Sequence, residues 1–243
     1  MSESGPASAD TAAPSGAPIP PGTTAPPPGL VFFDLDETIT RHDTLLPYAL
    51  RDLLVRRPWR VPLLLRVVPP VVNFLLGRGD EGPIKEAFVK ATLGGSRRAD
   101  IEAWTKRFVP DVIARGTFAD ALKKVSEHRS RGDYLVLMSA STDLYVPAIA
   151  RELGFNETIC TEVRWQGDHL DGTLTTPNRK GVEKARCFTA FRERHPGLNT
   201  TAYGNSHTDL PHLRLADHGF LINGSEKARH QAQQFGVAQL DWK

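Results

Sequence analysis

The sequence has little of what would tie it to a special chemical environment. Only 2 of its 243 residues are cysteines, and Cys160 and Cys187 form no paired motif, which argues against a disulfide-bonded scaffold. No run long enough to cross a bilayer is free of charge and proline. The formal net charge is only +2, so the composition gives no indication of nucleic acid as a partner. These shortages predict a cytoplasmic protein with free thiols.

Large apolar side chains are almost missing from the first 29 residues, which are mainly Pro, Ala, Gly, Ser and Thr. Such a segment cannot bury enough surface to offset its ordering entropy, so residues 1–29 are predicted to be a disordered tail. They do not have the pattern of a secretory signal, because the first basic residue is Arg41 and they contain no apolar core. The whole chain is 40% hydrophobic, enough for one large domain or two small ones.

A short apolar run is followed directly by two carboxylates. Residues 30–33 read Leu-Val-Phe-Phe and predict a strand buried on both faces. Asp34 and Asp36 come next, and both can face one site because positions i and i+2 of an extended chain point the same way. Taken alone, the pair fits a hard-cation site, a nucleophile with a proton-transfer partner, or two solvated acids at a strand end.

A helical stretch, residues 44–115, follows this strand, and Pro58 is expected to end its first helix. Residues 61–76 within it are very apolar, although Arg66 and the Pro69-Pro70 pair interrupt them. Two interpretations stay open: a face that contacts a membrane of anionic lipid, or a buried helical hairpin with a solvated arginine rim. The arginines around this run are Arg41, Arg51, Arg56, Arg57, Arg60, Arg66 and Arg78.

Strands and helices alternate from residue 117 onward. Strands are predicted at residues 134–138, 199–203 and 219–222, with a hairpin formed by residues 158–165 and 169–174. Helices are predicted at residues 118–131, 182–194 and 210–216, and another ends at Gly154. This alternation predicts an α/β fold with a Rossmann-like, doubly wound parallel sheet.

Polar side chains follow the predicted core strands. Ser139 comes after the second strand, and Asn205 and Asp209 come after the third. Because the carboxyl ends of parallel strands meet along one edge, these side chains should share a crevice with the Asp pair. Lys184, near the start of a helix, could add a cation there. Together they supply what phosphoryl transfer needs: an oxygen nucleophile, a proton donor, a cation for phosphate and a metal site.

The ordered motifs Asp34-Leu35-Asp36-Glu37-Thr38, Ser139, Lys184 and Gly204-Asn205-Ser206-His207-Thr208-Asp209 carry a family resemblance. From Leu30 onward, the chain resembles the haloacid dehalogenase superfamily of phosphatases, in subfamily IB, which includes phosphoserine phosphatase. The resemblance implies that residues 30–43 and 117–243 form the catalytic core. It also implies that residues 44–116 form an inserted α-helical cap of the C1 type.

The resemblance further implies a Mg²⁺-dependent enzyme that hydrolyses a phosphomonoester through an aspartyl-phosphate. Asp34 would attack phosphorus, and Asp36 would protonate the leaving alcohol and then activate water. Ser139, the backbone amide of Ala140 and Lys184 would bind the phosphate. The metal ligands would be Asp34, the backbone carbonyl of Asp36, Asn205 and Asp209.

Two positions depart from the family pattern. Asn205 stands where the family usually has Asp, and Asp43 stands where phosphoserine phosphatases have a longer Glu. The cap begins like that of phosphatidylglycerophosphatases of the C type, which favours a lipid phosphate such as phosphatidylglycerophosphate and peripheral contact with the inner face of an anionic membrane. The alternatives are phosphoserine or another small metabolite phosphate, or a phosphate-binding protein whose catalysis is weakened by Asn205.

Overall fold

A computed structural model describes residues 28–243, and a six-stranded parallel sheet lies at its centre. The strands are β1 Leu30–Phe33, β2 Tyr134–Thr142, β3 Glu157–Thr161, β4 Val163–Gln166, β5 His169–Leu174, β6 Thr200–Gly204, β7 His218–Ile222 and β8 Ala238–Leu240. The central sheet has the order β3-β2-β1-β6-β7-β8, while β4 and β5 form a separate antiparallel pair. Nearly all of the predicted disordered tail, residues 1–27, lies outside the described residues.

Helices cover both faces of this sheet and fill the connection between β1 and β2. They are α1 Leu45–Arg56, a 3₁₀ helix Pro58–Val67, α2 Val68–Leu75, α3 Gly82–Thr92, α4 Arg98–Gly116, α5 Ala119–Ser130, α6 Val146–Leu153, α7 Val182–Glu193, α8 Leu210–Leu213 and α9 Glu226–Gln234. That the helices before α5 work as an inserted cap, residues 44–116, stays a prediction. The sequence predicts neither α9 nor β8. The helix α9 buries only two alanines and shows no apolar stripe.

The strand β1 is buried on both faces, as its apolar run predicts. Val31 and Phe33 point into one hydrophobic core, and Leu30 and Phe32 point into the other. The ring of Phe33 stacks on Tyr203 of β6, with centroids 4.5 Å apart. Burying such a side chain contributes about 1.5–3 kcal/mol. Four large residues in a row therefore fix this strand at the middle of the sheet and set the position of the carboxylates after it.

The segment predicted as one strand, residues 158–165, is two strands in the structure. Its first part is β3, which pairs with β2 at the edge of the central sheet. After Glu162 the chain leaves the sheet, and β4 pairs with β5 instead. The hairpin is held against the helical region, since Gly95 N donates to Leu170 O at 2.8 Å and Arg98 N donates to Asp168 O at 2.8 Å. The alternation of apolar residues gave no sign of this change of partner.

The 3₁₀ helix and α2 together span residues 58–75, hereafter the 58–75 segment, and the alternative of a buried helical hairpin at residues 61–76 is wrong. None of its side chains is buried. Trp59, Leu65 and Leu75 are 72%, 73% and 76% exposed. The Pro69-Pro70 pair does not interrupt it, because prolines are tolerated in the first turn, where α2 begins. Within residues 28–243, no helix has both the length and the hydrophobicity to cross a bilayer.

Three of the seven arginines near this segment bond within the protein, and the other four are exposed: Arg41, Arg51, Arg66 and Arg78. Asp52 of α1 is fully buried, and its carboxylate accepts hydrogen bonds from Arg56, at 3.1 Å, and from Arg57. Arg60 donates to the carbonyls of Lys90, at 2.8 Å, and Ala91, at 3.1 Å, in α3. Arg60 therefore fastens the 58–75 segment to α3, and Arg56 and Arg57 are not part of a solvated rim.

Candidate active site

The carboxyl ends of β1, β2 and β6 meet at a cleft of about 300 Å³. Asp34 and Asp36 reach it from β1, and Asp209 reaches it after β6. Because β1 lies between β2 and β6 in the sheet, residues more than a hundred positions apart in sequence become neighbours. Lys184, in the first turn of α7, also lines the cleft. The structure therefore brings together residues that the sequence predicts as one site.

The centre of the cleft is a lysine shared by two aspartates. Lys184 Nζ donates to Asp34 Oδ1 at 2.5 Å and to Asp209 Oδ1 at 2.7 Å. The other oxygen of Asp34 accepts a hydrogen bond from Thr38 Oγ1 at 2.9 Å. All four residues are buried. Asp34 is therefore held in one orientation from both sides, with its carboxylate at the cleft.

Burial and the shared lysine set the charge state of this group. Burial raises the pKa of Asp34 to about 7, and Lys184 opposes this rise only in part. Burial also works against ionised Asp209, but Lys184 outweighs it and holds the pKa of Asp209 below its usual range. Burial disfavours the charged form of Lys184 as well, but the two carboxylates raise its pKa. One cation thus serves two buried acids, and the group carries an excess of negative charge when both are ionised.

Asp36 is held by donors on both of its oxygens. Thr44 gives two hydrogen bonds to Oδ1, from its backbone N at 2.8 Å and from its Oγ1 at 2.5 Å. Ser141 Oγ donates to Oδ2 at 2.7 Å, and Ser139 Oγ lies 3.3 Å from the same oxygen. Tyr145 continues the network, since its hydroxyl is 2.9 Å from Thr44 Oγ1. These contacts fix the second carboxylate of the motif in the cleft.

Of the predicted phosphate-binding residues, Ser139 is fully buried beside Asp36, whereas Ala140 lines the cleft. Ser141 also lines the cleft, although the sequence interpretation did not single it out. The sequence could have predicted that Ser141 lies in the cleft, because residues two apart on a strand share a face and Ser141 is two residues after Ser139.

The donor set of the cleft suits a hard divalent cation. No group of three or more His, Cys, Asp or Glu side chains in residues 28–243 is arranged around a metal position. The predicted ligands instead combine two carboxylates with a backbone carbonyl and the amide oxygen of Asn205, and Mg²⁺ prefers oxygen ligands. The Asn205 amide donates through Nδ2 to Glu37 Oε2 at 3.0 Å, and no donor in the described part of the chain bonds to its oxygen. When Asp34 and Asp209 are both ionised, Lys184 neutralises only one of the two charges, and the remaining negative charge would favour the same ion.

Two further lysines line the cleft, and the sequence interpretation did not single them out. Lys85 of α3 donates to the carbonyl of Ala140 and to Asn178 Oδ1, both at 2.5 Å. Burial lowers the pKa of Lys85 to about 8. Lys180 forms an ion pair with Glu81, with Nζ 2.6 Å from Oε2. Lys85 lies in a helix and Lys180 in a loop, where lysines are usually surface residues. Only the tertiary structure therefore shows that both line the cleft.

Comparison with known proteins gives a consistent result. The haloacid dehalogenase-like hydrolase family matches residues 31–214. A Mycobacterium tuberculosis protein named "Probable phosphatase Rv3661" is 28% identical over 230 residues, which cover 91% of this chain and 78% of that protein. A solved Bordetella pertussis protein of unknown function has a TM-score of 0.71 at 22% identity, over 87% of this chain and 97% of that one. A substrate-bound phosphoserine phosphatase has a TM-score of 0.62 at 18% identity, over 88% and 92%. These likenesses confirm the predicted doubly wound α/β fold.

Proposed function

The chain belongs to the haloacid dehalogenase-like hydrolases, and we propose that it is a Mg²⁺-dependent phosphatase that acts on a phosphomonoester through an aspartyl-phosphate. The observation that carries this proposal is the convergence of Asp34, Lys184 and Asp209 at hydrogen-bond distance in a buried cleft. The name of the mycobacterial phosphatase supports the same reaction class.

In this proposal Asp34 is the nucleophile and Asp36 moves protons. An oxygen of Asp34 forms a bond to phosphorus while the bond from phosphorus to the leaving alcohol breaks, and protonated Asp36 gives its proton to that alcohol. Asp36 then takes a proton from the water that attacks the aspartyl-phosphate, which releases phosphate and restores Asp34. Lys184 favours the ionised form of Asp34 against the effect of burial and faces the phosphate oxygens.

The remaining predicted residues complete the cleft. The amide of Ala140, with Ser139 and Ser141, would bind phosphate oxygens at the end of β2. When bound by Asp34, the Asp36 carbonyl, Asn205 and Asp209, Mg²⁺ would offset the charge that builds up on the phosphoryl group.

Hydrolysis of a generic aryl phosphate, with and without Mg²⁺, tests the proposal. An enzyme should release phosphate only when Mg²⁺ is present, and the activity should depend on Asp34 and Asp36. The alternative, a phosphate-binding protein with weakened catalysis, predicts the same low background in the wild type and in variants of both aspartates. Binding of inorganic phosphate without turnover would favour that alternative.

Asn205→Asp should tighten Mg²⁺ binding, because it adds a third carboxylate to a ligand set that contains two. We expect the Mg²⁺ concentration for half-maximal activity to fall by about tenfold or less, since ligand charge tunes affinity for hard cations. Without Mg²⁺ the variant should melt at a lower temperature, because the new carboxylate would repel Glu37, to which the wild-type amide donates a hydrogen bond.

A matched control is Asn199→Asp, which adds the same charge at an exposed position just before β6, at the far end of that strand. It should leave the Mg²⁺ requirement unchanged. Complete loss of activity in Asn205→Asp would mean that the metal ligands have been assigned to the wrong residues.

A lipid phosphate such as phosphatidylglycerophosphate is the substrate that the protein surface favours, with peripheral contact to the inner face of an anionic membrane. The exposed apolar residues of the 58–75 segment suit a protein that lies on a lipid surface. Phosphoserine stays the second candidate, because Lys85 places a cation in the cleft that could hold a carboxylate. Against it, Asp43 already accepts a hydrogen bond from Leu46 N at 2.8 Å and so caps α1.

Replacing Trp59, Leu65 and Leu75 by serine should weaken binding to vesicles of phosphatidylcholine and phosphatidylglycerol. Since burial of one large apolar side chain is favourable by about 1.5–3 kcal/mol, the triple variant should bind at least about tenfold more weakly. Sedimentation with vesicles measures this effect. Serines at Leu215, Phe235 and Leu240, which are exposed apolar residues outside the 58–75 segment, serve as the control.

Phosphate release from phosphatidylglycerophosphate, phosphoserine and small sugar phosphates completes the test. A preference for the lipid that declines in the triple variant supports the lipid phosphate. No binding to vesicles, together with a preference for phosphoserine, would contradict it.

A further inference from the structure

A second cavity opens beside the catalytic cleft. Its volume is about 600 Å³, twice that of the cleft. Glu81, Lys180 and Thr208 line both spaces, so the second cavity is directly adjacent to the cleft. We call it the side chamber. A group bound in the cleft reaches the side chamber by passing the side chains of these shared residues.

Three of the residues that line the side chamber are apolar, among polar residues and glycines. They are Phe74, near the end of α2, and Pro177 and Val182, around the start of α7. Val182 is 79% exposed and Phe74 is 38% exposed. Exposed apolar side chains grouped around a concave surface are typical of a ligand-binding site.

A polar pair stands where the side chamber meets the cleft. Lys180 Nζ and Glu81 Oε2 are 2.6 Å apart, and both side chains are only partly buried. This pair joins the segment before α7 to the start of α3. A ligand that reaches from the cleft into the side chamber first meets charged, hydrogen-bonding groups and then hydrocarbon.

We propose that the side chamber binds the apolar part of the leaving alcohol, so that the substrate is an amphiphilic phosphomonoester. The phosphate occupies the cleft, a polar linker lies beside Lys180 and Glu81, and the hydrocarbon contacts Phe74 and Val182. This inference rests on the proposed phosphatase function and specifies its substrate class. A leaving group as small as serine has no hydrocarbon to place against these side chains.

The position of Phe74 links the side chamber to the exposed apolar surface. Phe74 belongs to the 58–75 segment and also lines the side chamber. The hydrocarbon of a substrate could therefore contact the exposed apolar surface of the 58–75 segment and the side chamber on the same helix, α2.

A series of soluble alkyl phosphates, from butyl to decyl and below their micelle concentrations, tests the proposal without a bilayer. In the wild type, kcat/KM should rise by up to about fourfold for each methylene that becomes buried, and then level off when the side chamber is full. Hydrolysis of an aryl phosphate is measured in parallel as a reference for the chemical step.

Two variants with matched controls assign the effect to the side chamber. Phe74→Ala and Val182→Ser should each lower the ratio of kcat/KM for decyl phosphate to that for butyl phosphate by about threefold or more. The controls are Phe235→Ala, at a phenylalanine 45% exposed, and Val55→Ser, at a valine 78% exposed, neither of which lines the side chamber. Both controls should keep the wild-type ratio.

The possible failures are distinguishable. If aryl phosphate is hydrolysed but the rate does not depend on chain length, the side chamber proposal is wrong and the phosphatase proposal stands. Equal losses in the variants and their controls would also overturn the side chamber proposal. If the wild type hydrolyses neither kind of phosphate, both proposals are wrong.

Discussion

Asp34→Asn should remove phosphatase activity while leaving the protein folded. An amide cannot form the bond to phosphorus, so turnover should fall by about 10⁴-fold or more, the scale on which enzymes respond to loss of a covalent nucleophile. The melting temperature should not fall at pH 8, because the change removes one of two buried acids that share Lys184. Steady-state hydrolysis of an aryl phosphate and thermal unfolding measure the two effects.

Asp36→Asn should slow a different step of the reaction, the hydrolysis of the phosphorylated enzyme. Loss of a positioned acid or base lowers the rate by about 10²–10⁴-fold. An aryl alcohol leaves without much help from an acid, but the attacking water still needs a base, so the phosphorylated enzyme should accumulate. Rapid acid quench with a labelled aryl phosphate would detect phosphate on Asp34 in this variant and none in Asp34→Asn.

Asp217→Asn provides a matched control for both variants. Asp217 is a carboxylate that accepts hydrogen bonds from Thr200, at the other end of β6 from the cleft. Its replacement should leave the rate near the wild-type value. If all three variants retained the same activity, the aspartyl-phosphate mechanism would have to be abandoned.

Lys184→Met should strongly destabilise the metal-free protein. Methionine keeps most of the length of the side chain but removes the cation that Asp34 and Asp209 share. Breaking a buried ion pair by removing one partner costs about 3–5 kcal/mol, because a charge is left without compensation. Urea unfolding without Mg²⁺ measures the loss of free energy.

The loss of unfolding free energy in Lys184→Met should depend on pH. The pKa of Asp34 is raised above its unfolded value near 4 already in the wild type, and removal of the lysine raises it further. A carboxyl group with a raised pKa in the folded state stabilises the protein at acid pH and loses that contribution as pH rises through the folded pKa. The deficit of Lys184→Met should therefore be smaller at pH 5 than at pH 8.

Lys180→Met is the control for this measurement, because the Lys180 side chain is partly exposed and its ion pair with Glu81 is screened by water. We expect a loss below about 1 kcal/mol and little dependence on pH. A deficit in Lys184→Met that is equal at both pH values, or larger at pH 5, would contradict the charge balance described for the cleft.

The residues that the sequence could assign are those whose position follows from local pattern and sheet order. An apolar run buried on both faces predicts the central strand, and its end places Asp34 and Asp36 at the edge where parallel strands bind ligands. The same rule groups Ser139 and Asp209 with them, because strand ends in one parallel sheet are neighbours whatever their distance along the chain.

The residues that it could not assign owe their position to contacts between distant segments. Lys85 reaches the cleft only because α3 lies across the end of β2, and the side chamber exists only because α2 and the start of α7 lie close together. The break after Glu162 and the exposure of the 58–75 segment have the same origin. The sequence alone determined the family, the central strand and the strand-end side chains that meet at the cleft, since a local pattern decides which face of a strand or helix is apolar. Tertiary structure decided what each face meets, because a partner is chosen by packing across the whole chain.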